Sequence, residues 1–349
     1  MRKVIGLSLL GVLMWSTSVV AGVREGINFF DNQQWQQALA EFKPLADQGE
    51  RQSQYYTAYL YLNGFGVPKD EQLGLSYLKK SADQEFDKAL TMMGYFSSEG
   101  ILLPRDKKLA LEYYEKAVES NENDALLNLG VMYYNGDGVP QDIDKATEYF
   151  ERVDKTKRPI AGRYLGDLYL VNPDATKQKK ASGLYIAAAQ SGDIVAYHAL
   201  GDLYRKGTGT KKDATEAFRY YEYAASEGYG PSQYALGLMY ANGEGAPEKD
   251  LIKAYAWLAL ATRQGVTVAA QAQREVESLM TFSELGLARQ EVITLQRDFV
   301  GNVESPLKEL KSSSALGPGE ADSRKTQKKT ARGGRGGGHR RSGKGKKED

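Results

Sequence analysis

The strongest constraint on the fold is a repeat of about 36 residues that runs through most of the chain. Counting back from a marker position in each unit, an apolar residue recurs at position −7 and a glycine at −6 in five of six units, and a tyrosine recurs at −3 equally often. The markers are Gly64, Gly100, Gly136, Asn172, Gly207 and Gly243. Self-similarity at such a period indicates a solenoid, in which each unit stacks on its neighbours.

Each unit has the pattern of two helices joined by a tight turn. Positions −11, −7, −4 and −3 share one helical face, so the first helix is amphipathic. The marker glycine and a second glycine two residues later favour a left-handed turn, and Pro68, Pro140 and Pro247 then prevent the helix from continuing. A second helix follows, with motifs such as Ala146-x-x-Tyr149-Phe150. We therefore predict an all-α fold, a right-handed α-solenoid of helix-turn-helix repeats.

The phase of the repeat sets the predicted boundaries of the solenoid, which spans residues 22–301. Six repeats occupy about residues 52–264, after a degenerate first unit at 22–50 that lacks the Gly-x-Gly turn. Two capping helices are predicted at about 267–301. In the fourth unit the segment Val171-Asn172-Pro173-Asp174 replaces the glycine turn, and this predicts a bend in the solenoid.

The N-terminal residues 1–21 have the pattern of a cleavable signal peptide. Arg2 and Lys3 precede an apolar run of 11 residues, and Val19-Val20-Ala21 supplies small residues for cleavage. An uncleaved anchor is the alternative, although a membrane span needs about 20 apolar residues. The chain has no cysteine, which excludes disulfides and a lipid-bearing cysteine and suits an oxidising compartment. We expect a periplasmic or secreted protein.

The C-terminal segment 302–349 is predicted to be a disordered basic tail. Residues 312–349 carry 11 Lys/Arg against four Asp/Glu, while the whole chain has a net charge of only +1, so the rest of the chain is acidic. Such a segment binds nucleic acid, lipopolysaccharide, anionic lipid or acidic polysaccharide, or alternatively serves only solubility or docks on the acidic body. The candidate polyanion-binding residues are Arg332, Arg335, Arg340, Arg341, Lys344, Lys346 and Lys347.

A candidate partner-binding groove is formed by positions −9, −5 and −2 of the first helices, which face away from the predicted core. The first three units carry mainly aromatic and apolar residues there, while the fourth and fifth carry charges. Aromatic anchors beside a charged patch are typical of protein interfaces, and the alternative is packing between adjacent first helices. The candidates are Tyr55, Tyr59, Tyr95, Tyr134, Arg163, Asp167, His198, Asp202, Arg205 and Tyr234.

The segment Leu129–Phe150, which reads Leu-Gly-x-Met-Tyr-x-x-Gly-x-Gly-Val-Pro-x-Asp-x-x-Lys-Ala-x-x-Tyr-Phe, resembles the Sel-one-like repeat (SLR) family, a relative of the tetratricopeptide repeats. The resemblance covers residues 24 to about 280. It implies an adaptor that binds proteins along a curved surface, and bacterial members that resemble this chain are often exported. A cysteine-rich branch has been described as penicillin-binding, but this chain lacks the cysteines, so that activity is not carried over.

Catalytic motifs are incomplete in this sequence. Ser76-x-x-Lys79 matches a β-lactamase pattern, but no Ser-Asp-Asn or Lys-Thr-Gly motif accompanies it. His198 and His339 are the only histidines, which leaves little for a catalytic triad or a histidine metal site. We predict a monomeric, non-enzymatic scaffold with no cofactor, metal or small-molecule substrate. The alternative is a binder of envelope polyanions or polysaccharide, which would use the basic tail and the aromatic residues of the groove.

Overall fold

A computed structural model describes residues 19–299, and this range is helical throughout apart from its turns. The predicted tail, and all of the predicted signal peptide except residues 19–21, lie outside the described residues. The described part of helix α1 is 19–31. The helices that follow are α2 (Trp35–Asp47), α3 (Arg51–Asn63), α4 (Glu71–Ala82), α5 (Asp87–Glu99), α6 (Lys107–Ala117), α7 (Asn123–Asn135), α8 (Ile143–Arg152), α9 (Pro159–Val171), α10 (Ala175–Gln190), α11 (Ile194–Lys206), α12 (Ala214–Ser226), α13 (Gly230–Asn242), α14 (Leu251–Arg263), α15 (Ala269–Ser278) and α16 (Phe282–Phe299).

The helices pack in consecutive pairs, which are the predicted repeat units. The pairs are α3/α4, α5/α6, α7/α8, α9/α10, α11/α12 and α13/α14, and each second helix also packs against the first helix of the next unit. A single unit cannot bury both faces of its helices, so the core is built by stacking. The predicted all-α solenoid of helix-turn-helix repeats is confirmed.

An aspartate begins the second helix of every unit. Its side-chain carboxylate accepts a hydrogen bond from a backbone N–H in the first turn of the helix, which would otherwise lack an acceptor. Such a cap contributes about 1 kcal/mol. The six aspartates are Asp70, Asp106, Asp142, Asp174, Asp213 and Asp250.

The glycine at position −6 lets the two helices of a unit approach closely. A Cβ atom added at Gly130 would lie 2.5 Å from the ring of Phe150, which follows 20 residues later. Gly201 stands in the same relation to Tyr221. In the degenerate unit before the six repeats, Gly26 meets the ring of Phe42 after only 16 residues, so α1 and α2 form the same pair across a shorter turn.

The fourth unit ends its first helix in a different way from its neighbours. Gly136 ends α7 with a φ of 69° in the left-handed region. Asn172 ends α9 with an extended backbone at φ −71° and ψ 135°, and its side-chain oxygen accepts from the amide N–H of Asp174. The turn of this unit is therefore built by Asn172 and Pro173 without a left-handed residue, while the predicted bend stays a prediction.

Helices α15 and α16 lie where capping helices are predicted, and both pack against α14. Ala272 and Val276 of α15 and Ala288 and Val292 of α16 are buried in the same hydrophobic cluster as the residues of α14. Thr281 and Glu284 form a reciprocal capping box at the start of α16. Among residues 19–299, no helix combines the length and the apolar character needed to cross a membrane.

Candidate partner-binding surface

In four of the six repeats, position −9 of the first helix contacts the residue that begins the first helix of the next unit. Tyr55 packs on Phe86 with ring centroids 5.4 Å apart, and the Thr91 hydroxyl donates to a Glu122 carboxylate oxygen at 2.9 Å. The Arg163 Nε donates to Asp193 at 2.9 Å. These contacts join neighbouring units, so position −9 stabilises the stack in addition to lying on the candidate groove.

Arg163 is buried beside two carboxylates. Besides Asp193, its guanidinium lies 3.6 Å from Asp167 and over the ring of Tyr164. Burial lowers the pKa of Arg163, but the charges of Asp193 and the other neighbours outweigh it, so the net pKa is raised. Because Asp193 also accepts from the amides of Val195 and Ala196, this one carboxylate both caps α11 and holds Arg163.

The aspartates at position −5 are bound by tyrosines of the second helix. The Tyr185 hydroxyl donates to Asp167 at 2.6 Å, and the Tyr221 hydroxyl donates to Asp202. Burial raises the pKa of Asp167, and the hydrogen bond from Tyr185 only partly opposes this shift. Each tyrosine ring passes beneath the −6 glycine of its unit, which is how a second-helix side chain reaches the surface of the first helix.

His198 lies close to Asp202 and is packed between two tyrosine rings. Its Nδ1 is 2.9 Å from the Ser232 hydroxyl, and its ring lies 5.3 Å from those of Tyr221 and Tyr229. Burial lowers the pKa of His198 below its ordinary value of 6.5, and the charge of Asp202 offsets this only in part. The role of His198 in partner binding stays a prediction.

Tyr229 lies between the two charged groups and makes them one surface. Burial is the main reason why the pKa of Tyr229 is raised, and the charges of Arg163, Asp193 and Asp202 also act on its hydroxyl. We call this surface the polar cluster. Its members are Arg163, Asp167, Tyr185, Asp193, His198, Asp202, Arg205, Tyr221 and Tyr229.

Arg205 is the cation of the polar cluster with the fewest protein contacts. Its Nε donates to the Tyr221 hydroxyl at 3.4 Å, and no carboxylate of the described chain lies within 4.0 Å of it. Asp202 is instead paired with Lys206, whose ammonium lies 2.5 Å away. Arg205 therefore keeps most of its guanidinium donors available on the surface.

The aromatic candidates divide into buried and half-buried residues. Tyr55 and Tyr59 are only 2% and 7% exposed and belong to the hydrophobic core. Tyr95, Tyr134 and Tyr234 are half-buried. The structure therefore does not bring Tyr55 and Tyr59 onto an open surface, although their role in partner binding stays a prediction.

A second polar network lies in the earlier units and was not identified from the sequence. The guanidinium of Arg158 makes a bidentate ion pair with Asp124, and burial raises the pKa of nearby Glu122. Sequence reasoning also missed Asp193, Tyr185 and Tyr221 of the polar cluster. The spacing of the residues along the chain could have identified these partners. A residue at position −9 contacts a partner 30 or 31 positions later, and an aspartate at position −5 contacts a tyrosine 18 or 19 positions later.

The candidate tail residues Arg332, Arg335, Arg340, Arg341, Lys344, Lys346 and Lys347 lie outside the described residues. Within residues 19–299, no three His, Asp or Glu side chains are grouped closely enough to hold a metal ion.

Comparison with known proteins identifies the repeat. A family model described as the Sel1 repeat matches residues 51–86, 87–122, 123–152, 194–229 and 230–266, about half of the chain. The chain belongs to the Sel1 repeat family. The matches leave out residues 153–193, which contain α9, α10 and the turn at Asn172.

Two solved structures share the fold. A protective antigen of uropathogenic Escherichia coli strains that displays an SLR fold aligns with a TM-score of 0.72 and 22% identity, over 94% of this chain and 66% of its own. A Sel1 repeat protein from Oxalobacter formigenes aligns with a TM-score of 0.60 and 26% identity, over 69% and 96%. An ERAD-associated E3 ubiquitin-protein ligase component of Arabidopsis thaliana is 34% identical over 74 residues, which are 21% of this chain and 12% of that protein.

Proposed function

We propose that this Sel1 repeat protein is a non-enzymatic scaffold that is exported to the bacterial cell envelope or secreted, and that it holds a protein partner at the polar cluster. Sel1 repeats are generally protein-interaction scaffolds, which supports the general class of function. The residue that favours the polar cluster as the binding surface is Arg205. A planar guanidinium with free donors recognises a carboxylate through paired hydrogen bonds, so the partner presents an acidic side chain or a terminal carboxylate to Arg205.

The polar cluster is suited to a protein ligand because it is held in place before binding. Asp167 and Asp202 are fixed by tyrosine hydroxyls, and Arg163 is fixed by two carboxylates. Side chains that are already ordered lose little conformational entropy when they bind. Half-buried Tyr134, which lies near Arg163 and Asp167, offers aromatic area beside the cluster.

The test compares two arginine reversals in the full chain. We expect Arg205→Glu to lose at least one partner that crosslinks to the wild-type protein in the envelope or secreted fraction. The matched control is Arg219→Glu on α12, where an exposed arginine pairs only with Glu216. A partner lost from both variants, or from neither, would contradict binding at Arg205.

Export is proposed from the sequence pattern of residues 1–21. The expected result is a mature protein that begins at Gly22, found by N-terminal sequencing of the protein recovered from the periplasm or the medium. Recovery of the unprocessed chain with the cytoplasmic fraction would contradict export.

A second proposed function is binding of an envelope polyanion by the tail. The supporting observation is the excess of 11 Lys/Arg over four Asp/Glu in residues 312–349, on a chain whose remainder is acidic. Deleting residues 312–349 should abolish binding to lipopolysaccharide and to acidic polysaccharide and flatten its dependence on salt. Unchanged affinity and salt dependence after the deletion would leave the tail without this role.

A further inference from the structure

A surface cavity of about 610 Å³, widely open to solvent, lies between α8, α9 and α10 and shares no lining residue with the polar cluster. Leu165, Leu184 and the ring of Tyr169 give it apolar walls, and lysines surround them. Its volume falls in the range of 300–1,000 Å³ that is typical of small-molecule sites. The full lining consists of Glu151, Lys155, Leu165, Tyr169, Lys179, Lys180, Ser182, Gly183 and Leu184.

The cavity exists because the fourth unit lacks two side chains that its neighbours possess. In the third and fifth units a second-helix tyrosine stacks on the −3 tyrosine, as Tyr149 does on Tyr133 at 5.8 Å. Leu184 occupies the equivalent place in the fourth unit. The residue before it is Gly183, where the third unit has Glu148, and nothing lies within 4 Å of where a Cβ atom would be.

Tyr169 is held at the edge of this space by a carboxylate contact on its hydroxyl and by a lysine over its ring, and Tyr133 and Tyr240 share only the lysine contact. Its hydroxyl donates to the Glu151 carboxylate at 2.8 Å, and the ammonium of Lys177 lies 5.4 Å from its ring centroid. These contacts fix the ring without filling the cavity. The carboxylate of Glu151 is thereby engaged with a hydroxyl donor.

The lysines around the cavity lack acidic partners. No carboxylate of the described residues lies within 4.0 Å of the ammonium groups of Lys155, Lys179 or Lys180. Lys155 donates to two backbone carbonyls, those of Glu151 at 2.9 Å and Val153 at 3.0 Å, so one of its three N–H donors remains. Three cations facing one carboxylate give the site a net positive charge within an acidic body.

We propose that this cavity binds a small organic anion, one whose apolar body lies against Leu165 and Leu184 and whose phosphate or carboxylate group is bound by Lys155, Lys179 and Lys180. Contact with Leu165 and Leu184 covers part of the apolar body of the ligand, and this burial contributes to affinity beside the charge of the lysines. The lysines select the charged group. This site is separate from the polar cluster and does not depend on a protein partner.

The test is a calorimetric titration of the full chain with 1-naphthyl phosphate, which combines an apolar body with an anionic group. We expect saturable binding, with at least tenfold weaker binding of 1-naphthol and of inorganic phosphate. Lys179→Ala with Lys180→Ala should weaken binding at least tenfold. The matched control is Lys211→Ala with Lys212→Ala, two exposed lysines before α12 that do not line the cavity.

A second variant separates the cavity from the basic tail. Gly183→Gln with Leu184→Tyr restores the bulk of the third unit without adding charge, and it should abolish binding while preserving the helical circular dichroism signal. The tail is unchanged in this variant, so tail binding would persist in it. Undiminished binding in either the filled variant or the Lys179/Lys180 variant, or no saturable binding to the wild-type chain, would overturn the proposal.

Discussion

The ion pair between Arg163 and Asp193 joins the fourth and fifth units, so Arg163→Met tests how much one such contact contributes to the stack. The two side chains are 8% and 12% exposed, and Asp167 beside them is 33% exposed. Removing one partner of a buried pair costs about 3–5 kcal/mol, because the other charge remains buried without compensation. The loss should be at the lower end of this range, because Asp167 retains access to water and Met replaces the apolar stem of the arginine side chain. We therefore expect a loss of about 3 kcal/mol in the free energy of unfolding.

The loss should depend on pH in a defined direction. Burial raises the pKa of Asp167 in the folded state above its ordinary value of 3.8, and the charge of Arg163 opposes this rise. In Arg163→Met the folded-state pKa rises further. A carboxyl that binds its proton more tightly in the folded state favours folding once it is protonated. The destabilisation should therefore be full at neutral pH and decrease as the pH falls through the folded-state pKa of Asp167.

The assay is urea unfolding followed by circular dichroism at neutral and mildly acidic pH, for wild type and variant. Hydrogen exchange adds a local measurement, because Asp193 caps the amides of Val195 and Ala196 and these should lose protection first. Arg219→Met is the control, since its pair with Glu216 is exposed and should change stability by less than about 0.5 kcal/mol. A loss below about 1 kcal/mol, or one that does not vary with pH, would refute the argument.

Three further predictions concern single residues. Gly201→Ala should lower the free energy of unfolding by about 1–3 kcal/mol, because the added Cβ atom would lie 2.5 Å from the Tyr221 ring. Gly183→Ala should raise the free energy of unfolding by up to about 1 kcal/mol, because there is open space around Gly183. Equal effects of the two variants in urea unfolding would contradict this prediction. Tyr221→Phe should lower the free energy of unfolding by about 1–3 kcal/mol, because the half-buried carboxylate of Asp202 loses a hydrogen-bond donor. A change below about 0.5 kcal/mol would indicate that water replaces the hydroxyl. Asp106→Ala should cost about 1 kcal/mol through loss of the cap on α6, with faster exchange of the Leu109 amide as the local sign.

The fold was predictable from the sequence because periodicity reports directly which helical face is buried. Five −6 glycines, each costly inside a helix, indicate a close helix approach. An aromatic ring lies beneath four of them and Leu258 lies beneath Gly237, which gives the reason. The capping box at Thr281 and Glu284 has the Thr-x-x-Glu spacing that predicts a helix start, so this boundary too could be predicted from the sequence. Periodicity failed at the surface, because a position that faces away from one unit can be covered by the next, as Tyr55 is.

The differences between units carry the information about function that the shared pattern lacks. Where position −5 is an aspartate, as at Asp167 and Asp202, the second helix supplies a tyrosine whose hydroxyl binds it. Where position −5 is Val131, the second helix supplies Phe150, which has no hydroxyl to leave unsatisfied. Each aspartate at position −5 therefore has a hydroxyl donor, as the cost of burying an unpartnered carboxylate requires. The same comparison finds the cavity beside Leu184, so in a repeat protein each unit is the best reference for its neighbours.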